Sequence, residues 1–134
     1  MGTKDLSERG ANEVFEDHLK LAQEGKLGED LENNYAEDIV LLTNYGTFHG
    51  HEGTKEAAEL LNKQLPNGTY DYKLKLCHKN ICFLHWAADS EESYVLDGAD
   101  SFLIEKGKIK IQTIFYTFTI KLIQKNNFSH APIY

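Results

Sequence analysis

Arginine is almost missing from this chain: Arg9 is the only one in 134 residues. No guanidinium fork is therefore on hand to clamp a phosphate or carboxylate beyond the N-terminal region. The lysines stand singly among acids and the formal net charge is −7, so there is no cationic stripe to meet nucleic acid or an anionic membrane surface. No apolar run approaches the length of a membrane span. Residues 1–6 lack the apolar core of a secretory leader and, with Leu6 at position six, the pattern for myristoylation. Cysteine is nearly absent too. Cys77 and Cys82 flank a hairpin turn at Lys79-Asn80, where a cross-strand disulfide is open to them. Without an export signal the expectation is two reduced thiols, a cytoplasmic location, and sequons at Asn67 and Asn127 that arise by chance. Also lacking are internal repeats, low-complexity tracts, linkers, a phosphate-binding loop, a dinucleotide fingerprint and the Gly-x-Ser-x-Gly elbow of serine hydrolases.

What is present fits one globular domain over residues 1–134, with its core at about 11–119 and tails at 1–6 and 121–134. Hydrophobic residues make up 41% and charged residues 26%, enough to build a core. Ala11, Phe15, His18, Leu19 and Ala22 fall at helical spacings, predicting a helix over 7–24 with Ser7 as its N-cap and Gly25 as its stop. A short helix over 28–35 and an apolar strand over 39–43 follow, then a turn at 44–47. A third helix is expected over 52–65, ended by Pro66-Asn67-Gly68. The second half alternates with period two: strands at 70–78, 81–88, 94–104 and 109–120, the last two joined by Lys106-Gly107. The order α-α-β-α-β-β-β-β, helices first and an antiparallel meander after, is that of an α+β fold.

Three segments carry a family resemblance. Asn34-Tyr35-Ala36-Glu37-Asp38-Ile39-Val40-Leu41 resembles the segment leading into the first strand of the nuclear-transport-factor-2-like superfamily. Gly46-Thr47-Phe48-His49-Gly50-His51-Glu52-Gly53 resembles its entry into helix three. The run from Gly98-Ala99-Asp100-Ser101-Phe102 to Gly107-Lys108-Ile109 resembles its closing hairpin, and Trp86 stands where many members carry a strand tryptophan. The similarity spans about 11–119 in the correct order and is specific for the fold, not for an activity. It implies a cystatin-like cone: a curved, mostly antiparallel sheet wrapped around helices, with a cavity open at one end. SnoaL-like cyclases, ketosteroid isomerases, dehydratases and epoxide hydrolases share that cone with non-catalytic binding and scaffold domains. The resemblance also implies a homodimer formed through the open sheet face, a small hydrophobic ligand and no cofactor. The lysines at Lys73 and Lys75 and the segment 128–134 leave the interface unplaced.

Candidate chemistry centres on Asp100. It shares a strand face with Phe102 and Ile104, and a carboxyl among apolar side chains titrates high. The resemblance gives it two roles, proton donor to an oxyanion or base, against the alternative of a structural hydrogen bond. His18, near the helix-one tyrosine of the isomerases, is a second acid/base candidate or else a half-buried structural histidine. Thr43 stands where a steroid isomerase carries its proton-shuttling aspartate, and a hydroxyl cannot be that base near neutrality. With one arginine, the Asp-Arg-Asp arrangement of limonene-epoxide hydrolases cannot be assembled. Alternation lets either His85 or Trp86 face the cavity, not both. Tyr116 and Phe118 on the last strand, Phe102, and Tyr35 and Tyr45 at the mouth complete the expected wall. His49-Gly50-His51-Glu52 looks superficially like a metal cluster but lacks a firm third ligand, so no metal is expected.

Overall fold

A computed structural model describes residues 5–122. A single 3-10 turn, Leu6–Glu8, precedes three α-helices: α1 (Ala11–Gln23), α2 (Leu27–Asn34) and α3 (Gly50–Gln64). The strands are β1 (Tyr35–Thr43), β2 (Gly46–His49), β3 (Thr69–His78), β4 (Ile81–Asp89), β5 (Ser93–Glu105), β6 (Lys108–Phe115) and β7 (Thr119–Ile120). They form one open, mixed sheet in the order β2-β1-β6-β5-β4-β3, with β7 pairing the start of β5. Among the described residues, β1 against β6 is parallel and every other pair is antiparallel. The architecture is the expected α+β cone, with the helices laid on the concave side of the sheet.

The curvature has a local cause. Register shifts interrupt the ladders at Tyr35/Val40, Tyr72/Leu74, Trp86/Ala88 and Leu103/Ile104. Each extra residue bends its strand and raises the local twist. One core joins helices and sheet: Val14, Phe15 and Leu19 of α1 meet Ile39 and Leu41 of β1, Leu84 of β4 and Phe102 and Ile104 of β5. Phe15 packs edge-on to Phe102 with ring centroids 5.2 Å apart.

Several boundaries depart from the sequence expectation, each for a reason visible locally. Helix α1 starts at Ala11, not at residue 7. Gly10 is its N-cap, and its N–H donates to Glu13 Oε1 at 2.8 Å, while Asp5 caps the preceding 3-10 turn. Arg9 sits between the two, with Nη2 donating to the carbonyls of Asn33 and Gly107, so the lone arginine ties the N-terminal turn to the end of α2 and the last hairpin. Gly107 has φ +74°, and a side chain there would run into the Leu6 carbonyl. The turn expected at 44–47 opens into a full hairpin, because β2 pairs back on β1 from Val40↔His49 to Thr43↔Gly46. The strand expected over 109–120 breaks after Phe115, and Thr119–Ile120 crosses to pair with Ser93 and Tyr94.

The alternation read across 70–78 as one continuous pattern is also corrected. The bulge at Lys73 reverses it, so Tyr70 and Tyr72 face inward whereas Leu74 and Leu76 face outward, opposite His85 and Phe83. Cys77 and Cys82 are direct cross-strand partners and are joined as a disulfide, against the expectation of reduced thiols. That bond removes the cysteine argument for a reducing compartment. Among the described residues no helix is long and apolar enough to cross a membrane. Asn127 and the segment 128–134 lie outside the described residues.

Candidate functional site

The concave face, α1, α2 and α3 enclose a cavity of about 250 Å³, near the lower bound for small-molecule sites. Its walls are mainly apolar and aromatic: Leu19, Leu27, Leu41, Phe48, Leu61, Leu84 and Ile114 alternate with Tyr45, Tyr70, Tyr72, Trp86 and Tyr116. Four of these rings form a run. Tyr70–Trp86, Trp86–Tyr116 and Tyr116–Tyr45 have centroids 5.6, 5.5 and 5.0 Å apart and tilts of 47–53°, making a curved aromatic wall.

Asp100 lies in this wall. Strand β5 sends Gly98, Asp100 and Phe102 inward by simple alternation, between Trp86 and Leu84 of β4 and Gln112 and Ile114 of β6. The Trp86 indole N–H donates to Asp100 Oδ1 at 2.9 Å, and Gln112 Nε2 donates to Oδ2 at 3.1 Å. Gln112 in turn accepts from the Tyr35 hydroxyl at 2.6 Å. Each group in this chain donates toward the carboxylate, an arrangement suited to its ionised form. Gly98 is what lets Trp86 reach it: a Cβ at that position would overlap the indole ring. Asp100 is only 8% exposed. Burial pushes its carboxyl up to about 6, and the Trp86 hydrogen bond, nearby His18 and the Gln112 hydrogen bond pull the other way without cancelling it.

His18 is buried on α1 and reaches the same cavity. Its Nδ1 lies 2.7 Å from Oδ2 of Asp30, the buried acid of α2, and Asp30 Oδ1 accepts from Asn34 Nδ2 at 2.9 Å. Tyr35 and Phe102 hold the imidazole from two sides, with centroids 5.5 and 5.4 Å away.

The other anticipated residues divide. Tyr116, Tyr45 and Tyr35 all line the cavity; Tyr45 is partly exposed and packs on Tyr116, while Tyr116 and Tyr35 are buried, so Tyr35 is not at the mouth. Trp86 faces in. His85 therefore faces out, where its Nε2 meets Asp97 Oδ1 at 2.8 Å on the far side of the sheet. Phe102 is a core residue packed on Phe15 and His18, and Phe118, past the break in the last strand, packs on the core outside the cavity wall. Thr43 does line the cavity, yet its hydroxyl is spent in the β1–β2 turn, donating to the Gly46 carbonyl and accepting from the Tyr45 N–H, both at 2.9 Å. His51 is turned to the Tyr35 carbonyl at 3.0 Å, and among the described residues no three His, Cys, Asp or Glu side chains gather as a metal site.

Sequence reasoning missed Asp30 and Gln112. Both are buried polar residues within apolar patterns: Asp30 next to Leu31 on α2, Gln112 between Ile109 and Ile114 on β6. A polar residue at an inward register position is the signal that would have found Gln112.

No protein-family model matches the sequence, and no curated protein does. Solved structures do match. A protein of Mesorhizobium loti named as a SnoaL-like polyketide cyclase is 15% identical, with 78% of this chain and 97% of that one aligned at a TM-score of 0.61. One of Kribbella flavida named as a ketosteroid isomerase is 11% identical over 89% and 80% of the two chains, TM-score 0.65. An NTF2-like protein of unknown function from Cytophaga hutchinsonii is 12% identical over 87% and 95%, TM-score 0.65. At these identities the likeness establishes the fold alone.

Proposed function

Starting from a chain with the SnoaL-like, NTF2-like fold, we propose that it binds a small, mostly apolar molecule in the cavity and moves a proton on it, with Asp100 as the base. One observation carries this reading: a carboxylate held by Trp86 and Gln112 in an apolar wall, with its pKa raised to about 6. A group titrating there is mostly ionised near pH 7 and remains basic enough to accept a proton in a transition state. That favours the base role over the protonated-donor role. His18 is the second acid/base group, and Tyr116, Tyr45 and Trp86 form the ligand wall. Such chemistry calls on no cofactor.

The test is a carboxyl-carbon NMR titration of the protein against Asp100→Asn. A midpoint near 6 is expected. A midpoint close to the free aspartate value of about 3.9 would falsify the site reading.

The outer face of the sheet favours a second, compatible reading. The rows Val40–Ile111–Leu103–Ile81 and Leu42–Thr113–Ser101–Phe83–Leu76 run across β1, β6, β5 and β4, the second reaching β3. Leu42, Leu76, Ile81, Ile111 and Phe115 on this face are 40–59% exposed. These two rows carry no charged residue, and an apolar strip of this extent, with the His85–Asp97 pair beside it, suits a second copy of the chain packed sheet to sheet about a two-fold axis. Lys75 does not interrupt it, because it points inward to Glu16 on α1 at 3.1 Å.

A further inference from the structure

The walls of the cavity hold many hydrogen-bond donors, and nearly all are already used inside the protein. The hydroxyls of Tyr35, Tyr45, Tyr72 and Tyr116 donate to Gln112 Oε1, the Tyr116 carbonyl, the Leu19 carbonyl and Gln64 Oε1 respectively. Those of Thr43 and Thr54 donate to the Gly46 and Gly50 carbonyls. The Trp86 indole and the Gln112 amide are spent on Asp100. Lys26 pairs with Glu24 at 3.3 Å. Among the described residues, the half-buried Tyr70 and the exposed Asn62 are the lining side-chain donors without such a bond; the second amide hydrogen of Gln112 and the two further ammonium hydrogens of the exposed Lys26 are also left over.

Acceptors are in the opposite state. Each Asp100 oxygen has one donor and room for another. The 2.7 Å contact with Asp30 Oδ2 commits His18 Nδ1 to that carboxyl group. With Nδ1 committed to Asp30, Nε2 is the ring nitrogen left to a ligand: it accepts in the neutral ring and donates in the imidazolium, and no protein group among the described residues bonds it. Asp30 is thus a positioning residue: it selects which ring nitrogen the ligand meets.

Resting on the small-molecule reading above, we propose that the cavity selects ligands that themselves donate hydrogen bonds, namely phenols, enols, alcohols or protonated amines, with Asp100 as the acceptor and, in the neutral ring, His18 Nε2 beside it. Ethers, carboxylates and phosphates leave these acceptors unpaired or repelled. An oxyanion hole needs free donors pointed at one place. This site has committed nearly all of its own within the protein, so its chemistry starts from an O–H or N–H substrate.

The test uses three probes on one ring system, naphthol, methoxynaphthalene and naphthoate, titrated near pH 7 by calorimetry. Naphthol is expected to bind at least about ten-fold more tightly than either of the others. In parallel, nitrogen NMR of the wild type should show His18 in the Nδ1–H form. Asp30→Asn, whose amide can donate to Nδ1, should shift the ring toward Nε2–H and shrink the naphthol preference several-fold. Ether or carboxylate binding as tight as naphthol overturns the donor rule but leaves the cavity reading standing. An Nε2–H ring in the wild type overturns the role of Asp30. No binding of any probe by folded protein overturns this proposal and the small-molecule reading together.

Discussion

The two faces of one sheet are built from the same strands and do opposite things. On β5, Asp100 and Phe102 point inward and Ser101 and Leu103 outward; on β6, Gln112 and Ile114 face in and Ile111 and Thr113 out. The concave face is where the polar groups are buried: Asp100, Gln112 and, from the helices packed on it, His18 and Asp30. The convex face is where apolar groups are exposed: Leu76, Ile81 and Phe115. Each is the reverse of the usual partition of side chains between core and water. Burial of an acid costs stability unless it is paired, and exposure of leucine and phenylalanine forgoes burial energy. A fold tolerates both when each surface has something to receive, a ligand on one side and another surface on the other.

The contrast breaks most completely at Gly98. Replacing it by alanine puts a methyl group into the Trp86 ring, which must leave its place. The indole then cannot donate to Asp100, and a buried carboxylate loses one of its two supports. Overpacking of a core costs about 1–3 kcal/mol, and loss of a hydrogen bond to a charged group about as much again. Gly98→Ala should therefore lower stability by about 4 kcal/mol in denaturant unfolding, with a shift in the emission of the single tryptophan. An alanine variant as stable as wild type, with unchanged fluorescence, would mean that Trp86 is not pinned over this glycine.

Asp100 offers a gentler test of the concave face, through pH. Its folded pKa is raised to about 6 from 3.8, so between those values the folded state holds a proton that the unfolded state has released. Stability is then greatest below pH 3.8 as far as this group is concerned. It declines as pH rises through 6, by about 3 kcal/mol in all. Asp100→Asn lacks this slope. Its amide oxygen can still accept from Trp86, and a flip of Gln112 lets the new amide donate while Tyr35 accepts. Urea midpoints of the two proteins should therefore diverge in favour of the variant between pH 4 and 7.5. Parallel profiles would show that the carboxyl is not desolvated.

The legible parts were those governed by local periodicity. The helical spacing of Phe15, His18 and Leu19 placed α1's buried face, and alternation around Asp100 and Phe102 put the acid inward. What stayed hidden required knowledge of partners. The reversal of faces at Lys73 leaves no trace in composition, because a bulge is a property of two strands in register. The same is true of the break after Phe115, where the chain leaves β1 and moves along to the start of β5. Asp30 was hidden because on α2 it reads as an ordinary first-turn acid, favourable at a helix N-terminus; only the packing of α1 against α2 gives it His18. His85 and Trp86 were equivalent by alternation alone, until Gly98 made room on one side for the larger ring.

The bulge at Lys73 also sharpens the convex face. Had the pattern of 70–78 continued unbroken, Leu74 and Leu76 would point inward with Tyr70 and Tyr72, and the outer strip would end at β4. With the reversal it reaches the sheet edge, where Leu76 stands beside Phe83 and Leu74 beside His85. Charges introduced on this strip touch nothing in the protomer's core, so Leu76→Lys with Phe115→Lys should alter protomer stability by only about 0.5 kcal/mol. The same pair of lysines, repeated by two-fold symmetry, would face like charges across a sheet-to-sheet interface. Sedimentation of wild type should give a dimer and of the double variant a monomer with an unchanged Asp100 titration. A wild-type monomer at all accessible concentrations would leave this apolar strip unoccupied by a second copy. A dimer that survives both lysines would move the contact off the convex face.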